Sequence, residues 1–126
     1  MRRIIIVMML LTLFLYGCQH QFPFSQPSNY IIQVELIDTE DDVHHSLTGE
    51  DVSQFIMNLS EMQCHKNFNP IEDIGHLQIL IYYENGDIDI VGCKSNGTIK
   101  GGERRISGWY YFNENDLAEL FISYTN

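Results

Sequence analysis

The chain has 126 residues, 44% of them hydrophobic, with 17 acidic residues against seven basic ones and a formal charge of −10. That length supports one modest hydrophobic core rather than several domains. The acidic excess excludes nucleic acid as a partner, because a phosphate backbone would be repelled, and it leaves a solubility field or attraction to cations as the roles of the charge.

Arg2 and Arg3 precede an apolar run over residues 4–15, which closes on Leu15-Tyr16-Gly17-Cys18. A basic head, a short apolar middle and a small residue before a cleavage point describe an export signal. The run has twelve residues and meets Gln19, His20 and Gln21 at once, whereas a membrane-crossing helix needs about twenty. The segment resembles the signal peptide of bacterial lipoproteins, whose lipobox reads Leu-x-Gly/Ala-Cys; Leu15, Gly17 and Cys18 carry the match. The resemblance implies that residues 1–17 are removed and that Cys18 is lipidated on sulfur. It also implies export and lipid anchoring to the cell membrane or outer membrane of a bacterium. Gln19 stands where an aspartate would retain such a lipoprotein at the inner membrane, so the resemblance favours the outer membrane where one exists.

Residues 18–29 then read as the lipidated Cys and a flexible tether, because Pro23 and Pro27 lie among Gln, Ser and Asn. Eleven residues after Cys18 reach about 35–40 Å at most. Phe22 and Phe24 in this stretch could touch either lipid or the body. Residues 30–126 are expected to form a single small domain. Without residues 1–17, five basic residues (Lys66, Lys94, Lys100, Arg104, Arg105) face 17 acids, a formal charge of −12. Residues 18–65 hold eight acids and neither Lys nor Arg.

Alternation over residues 30–37 puts Ile32, Val34 and Leu36 on one face and predicts a strand. Residues 38–46 read as an acidic loop. Thr48 as N-cap, Asp51 three positions on and the Leu47/Val52 staple open a helix. Its apolar stripe is Val52, Phe55, Ile56, Leu59 and Met62, and Asn67, Asn69 and Pro70 end the element. Strands follow at residues 76–83 and 87–94, joined by the Asn85-Gly86 hairpin signal. Asn96-Gly97 predicts a second turn into a strand at 98–100, Gly101-Gly102 with Glu103-Arg104-Arg105 a loose region or bulge, and residues 106–112 a last strand. Asn113 as cap, Asp116 and the Phe112/Leu117 staple start the final helix, with Leu117, Leu120, Phe121 and Tyr124 as its stripe. The order β-α-β-β-β-(β)-α predicts an α+β two-layer sandwich, a mostly antiparallel sheet with both helices packed on one face. If the first strand lies parallel to its neighbour, its helical crossover is right-handed.

With Cys18 assigned to lipid, Cys64 and Cys93 pair most simply as a disulfide closing a loop of 30 residues, which chain entropy values at about 3–4 kcal/mol. Regular alternation instead puts Cys93 with Asp87 and Asp89, opposite Ile88 and Ile90, so the pairing requires a bulge at Gly92; two small buried thiols are the alternative. Asp41, Asp42, His44 and His45, with Glu40, are the only cluster resembling metal ligands, but adjacent histidines on a loop diverge, so no metal and no other cofactor is expected. His65 and His76 flank the helix-to-strand connection singly. Asp87 and Asp89 read as a solvated strand edge. Neither a nucleophile elbow, a phosphate loop nor a metalloprotease helix is present. Tyr82 and Tyr110, among Tyr83, Trp109 and Tyr111, are expected on the open sheet face as a contact surface.

The expectation for function is a membrane-tethered, non-catalytic module of the cell envelope that binds a protein or peptide. Two alternatives stand beside it: a metal-binding or hydrolytic enzyme built on the Asp41–His45 loop with His65 or His76, and an immunity- or inhibitor-type lipoprotein that captures a cationic toxin.

Overall fold

The computed structural model describes residues 21–125. Leu15, Tyr16, Gly17 and Cys18 lie outside the described residues. A short 3-10 turn (Ser28–Tyr30) leads into β1 (Ile31–Asp38), β2 (Val43–Leu47), α1 (Glu50–Glu61), β3 (Cys64–Lys66), β4 (Leu77–Tyr83), β5 (Ile88–Gly92), β6 (Asn96–Lys100), β7 (Glu103–Ile106), β8 (Tyr110–Phe112) and α2 (Glu114–Thr125). Six strands form one sheet in the order β2-β1-β4-β5-β6-β7, and β3 pairs with β8 in a separate ribbon. Every pairing is antiparallel. Among the described residues no helix is long and apolar enough to cross a membrane.

Both helices lie on one face of the large sheet, as expected for an α+β two-layer fold. Val52, Phe55, Ile56 and Leu59 of α1 and Leu117, Leu120 and Phe121 of α2 are buried against Val34, Leu36, Ile79, Ile81, Tyr83 and Val91. The Asn113 cap is present: its Oδ1 accepts the Asn115 N–H at 2.9 Å, and both Phe112 and Leu117 are buried. The start of α1 differs from expectation. Gly49, at φ 63°, occupies the N-cap position and makes no side-chain cap, so Thr48 is left in solvent.

Four other expectations are corrected. The acidic loop over 38–46 is shorter: residues 39–42 turn, and Val43–Leu47 return as β2 against Val34–Asp38. The Asp38 carboxylate organises that turn by accepting the N–H groups of Glu40 (3.0 Å) and Asp41 (3.3 Å). Because β1 and β2 form a hairpin, α1 returns the chain to the other edge of β1, where β4 joins antiparallel rather than by a parallel crossover. Asn96-Gly97 is strand, not turn; Asn96 is buried and its Oδ1 takes the Tyr110 N–H at 2.9 Å. Gly101-Gly102, with φ of 58° and 79°, closes a β6–β7 hairpin instead of a loose region, both residues adopting the positive φ that a type I′ turn requires.

The amino-terminal stretch is docked. Phe22 is 6% exposed, with its ring 5.1 Å from Phe24 and 6.1 Å from Phe112. The flexible tether expected over 18–29 is therefore held to the body from Phe22 onward.

Candidate functional site

The β4–β5 hairpin and the start of α2 bring three reactive side chains together. His76 precedes β4 and Cys93 follows β5. The Gln78–Gly92 pairing at the hairpin's open end sets them side by side. The Cys93 sulfur lies 3.9 Å from His76 Nδ1. On the far side of the ring, His76 Nε2 lies 3.0 Å from Glu114 Oε1 and 3.8 Å from Glu40 Oε2. Gly75 makes room for the sulfur, since a Cβ there would stand 2.5 Å from Cys93 Sγ. The order is thiol, imidazole, carboxylate. It does not form a metal cage, because the sulfur and the carboxylates face opposite nitrogens of the ring, and a metal bound at one nitrogen would reach only one of them.

The disulfide expected between Cys64 and Cys93 is not formed; both are free thiols. Cys64 pairs with Phe112 under the β3–β8 ribbon and is buried, and that burial pushes its thiol up to about 11 despite a backbone hydrogen bond from Tyr111. Cys93 is partly exposed and turns over Gly75 instead.

The histidine loop is also rearranged. His44 and His45 sit on β2, where alternation sends them to opposite faces. His44 Nδ1 is 3.4 Å from Glu35 Oε1 and its Nε2 is 4.0 Å from Asp42 Oδ1. His45 lies opposite Leu36, and Asp41 and Asp42 are exposed at the hairpin tip. The four residues do not converge. His65 stacks on Tyr111 across the ribbon at 5.2 Å.

The paired tyrosines part as well. Tyr82 is on the open face of the large sheet and donates its hydroxyl to Glu35 Oε2 at 2.8 Å. Tyr110 belongs to the ribbon and packs against the core, so the two form no common surface.

Asp89 is a site that sequence reasoning missed. It points to the core face, 2% exposed, rather than forming a solvated edge with Asp87. Tyr83 donates its hydroxyl to Asp89 Oδ2 at 2.6 Å, the Ser25 N–H reaches the same oxygen at 2.8 Å, and the Ser25 hydroxyl donates to Oδ1. Burial, and then the bond and charge of Asp89, raise the Tyr83 hydroxyl well above the ordinary tyrosine range. Among the described residues every buried side-chain nitrogen or oxygen has a partner. No local signal marks Asp89, because its contacts lie 6 and 64 residues away.

Two edges of the sheet differ in charge. At one, β2 and the hairpin tip carry exposed Glu40, Asp41 and Asp42. At the other, the β6–β7 hairpin carries Lys100, Arg104 and Arg105. Between the docked amino-terminal segment and α1 runs a groove of about 870 Å³, lined by Phe22, Phe24, Val52, Ile56 and Met57 among others. No protein-family model matches the chain, and neither a curated protein nor a solved structure matches it.

Proposed function

We propose that this protein is a lipid-anchored module of the bacterial cell envelope that binds a cationic peptide or protein segment without catalysis. The observation that carries the reading is the position of β2. It is an open edge strand, with one row of backbone N–H and C=O groups unpaired by the sheet, and it lies within residues 18–65, which hold no Lys or Arg. An extended basic segment added to that edge would gain backbone hydrogen bonds from the strand and attraction from Glu40, Asp41 and Asp42. A cationic toxin held by an inhibitor-type lipoprotein is one case of the same recognition.

The lipobox resemblance at Leu15, Gly17 and Cys18 supports the anchoring part. With Phe22 docked, the chain length between Cys18 and Phe22 allows about 14 Å at most. The body would sit close to the lipid surface, and its partner would be met at the envelope rather than in free solution.

An arginine-rich extended peptide is the test ligand, measured by calorimetry against the full chain in detergent. Binding is expected to weaken as salt rises and to vanish in a Glu40→Lys/Asp41→Lys/Asp42→Lys variant, while Arg104→Glu leaves it intact. Equal affinity for the parent and the triple variant would overturn the reading.

A further inference from the structure

We infer that Cys93 is an exchange-active thiol that captures a disulfide-bearing small molecule or protein as a mixed disulfide, with His76 as its proton acceptor and Glu114 as the residue that positions His76. This inference does not rest on binding at the β2 edge: Cys93, His76 and Glu114 carry it, and the two sites share only Glu40, the more distant of the carboxylates beside His76.

The geometry supports it in steps. A thiol is a weak nucleophile and its thiolate a strong one, so a partly exposed sulfur needs a base within reach. His76 Nδ1 faces the sulfur at 3.9 Å. For Nδ1 to accept a proton, the ring must carry its hydrogen on Nε2, and Glu114 Oε1 at 3.0 Å accepts that hydrogen, with Glu40 Oε2 behind it at 3.8 Å. The same carboxylates favour the imidazolium once it forms. The charged groups facing this cluster are thus Glu114 from α2, Glu40 from the β1–β2 turn, and Lys94, which pairs with Asp73 at 3.2 Å.

The surroundings decide between thiol chemistries. Acyl transfer builds an oxyanion and requires free N–H donors aimed at it. Here the Cys93 N–H is bonded to Leu77 O at 3.3 Å and the Lys94 N–H to Ile74 O at 3.0 Å, so neither is free for that role. Disulfide exchange builds no oxyanion; its charge spreads over sulfurs. In the step, the Cys93 proton passes to His76 Nδ1, and the thiolate attacks one sulfur of R–S–S–R′. A Cys93–S–S–R bond forms as the S–S bond of the substrate breaks. The leaving R′S⁻ takes the proton back from His76. Oxidation state is conserved, since one disulfide replaces another. The other thiol among the described residues, Cys64, is buried and held protonated, so it is no resolving partner. The product persists until an external thiol arrives, which is capture rather than turnover.

Oxidised glutathione is the probe, with a Cys18→Ser full-length chain so that Cys64 and Cys93 are its only thiols, and with intact mass and rate followed against pH. One glutathione per chain is expected, on Cys93 by peptide mapping, and none in Cys93→Ser. His76→Asn is expected to slow the reaction at pH 7 by about tenfold and to shift the pH dependence of its rate. Glu114→Gln, an exposed change at the start of α2, is expected to give a smaller shift in the same direction with unchanged circular dichroism. Labelling of Cys64, or identical rates and profiles in the parent, His76→Asn and Glu114→Gln proteins, would overturn the inference.

Discussion

Tyr82 and Tyr83 are consecutive residues of β4, and the hydroxyl of each donates a hydrogen bond to a carboxylate on a neighbouring strand. Their sites lie on opposite faces of the sheet. Tyr83 meets Asp89 on the core face, where both are at most 2% exposed. Tyr82 meets Glu35 on the open face, where both remain partly exposed. The comparison teaches that the bond alone does not set its worth. In water a lost partner is replaced by solvent, whereas under α1 and α2 nothing replaces it. The core-face pair also gathers Ser25, so it ties the amino-terminal segment to the sheet, and the open-face pair ties only β1 to β4.

The largest expected effect comes from removing the buried acceptor. Asp89→Ala leaves the Tyr83 hydroxyl and both Ser25 donors without their carboxylate, at a cost of about 3 kcal/mol in stability by urea denaturation. The same variant should expose residues 22–25 to chymotrypsin at the Phe24–Ser25 bond, because the segment's polar attachment is gone. A loss below about 0.5 kcal/mol, with the segment still protected, would mean that hydrophobic docking of Phe22 carries the attachment by itself.

Tyr83→Phe should cost about 2 kcal/mol, since Asp89 keeps its Ser25 bonds. It should also alter the alkaline limit. Both tyrosine hydroxyls are raised from their ordinary value near 10: Tyr82 to about 12, by burial first and then by the bond and charge of Glu35, and Tyr83 further, by burial and Asp89. A raised folded-state value means that the unfolded chain loses its protons first. Their contribution is complete below pH 10 and is lost as pH rises above it. The parent should therefore lose stability from about pH 10 upward; Tyr82→Phe and Tyr83→Phe should each remove part of that fall, and Tyr83→Phe the larger part, because its hydroxyl is raised further and its contribution continues to be lost after that of Tyr82 is gone. An unchanged alkaline curve in Tyr83→Phe would remove the buried pair as its cause.

Much of the fold was legible because it is local. The helix stripes, the Asn113 cap, the Phe112/Leu117 staple and the Asn85-Gly86 turn each depend on residues within a few positions. What failed depends on partners far away. β2 reads as a loop because Val43, His45 and Leu47 make only a short alternation amid acids, and its strand character comes from pairing with β1. In β5 the usual rule inverts: Ile88 and Ile90 take the face away from the helices, where Ile90 is nonetheless buried, while Asp89 faces the core, since Tyr83 and Ser25 supply what a buried carboxylate requires. Cys93, His76 and Glu114 come from three elements, and only the hairpin register and the seat of α2 assemble them. The disulfide expectation went wrong for the same reason: it counted thiols, while the fold commits Cys64 to the core and leaves Cys93 to His76.

The smallest effect is the sharpest control. Tyr82→Phe removes a hydroxyl from a partly exposed pair, and Glu35 keeps His44 at 3.4 Å as a second neighbour as well as access to water. The ring itself, which packs on the open face beside Ile88, is retained. The change in stability should stay within about 0.5 kcal/mol at neutral pH. If it instead matches Tyr83→Phe, the open face is not open in solution. Something must then cover Tyr82 and Glu35 and exclude the water that would otherwise replace the lost bond, and a concentration-dependent unfolding midpoint would identify that cover as a second copy of the chain.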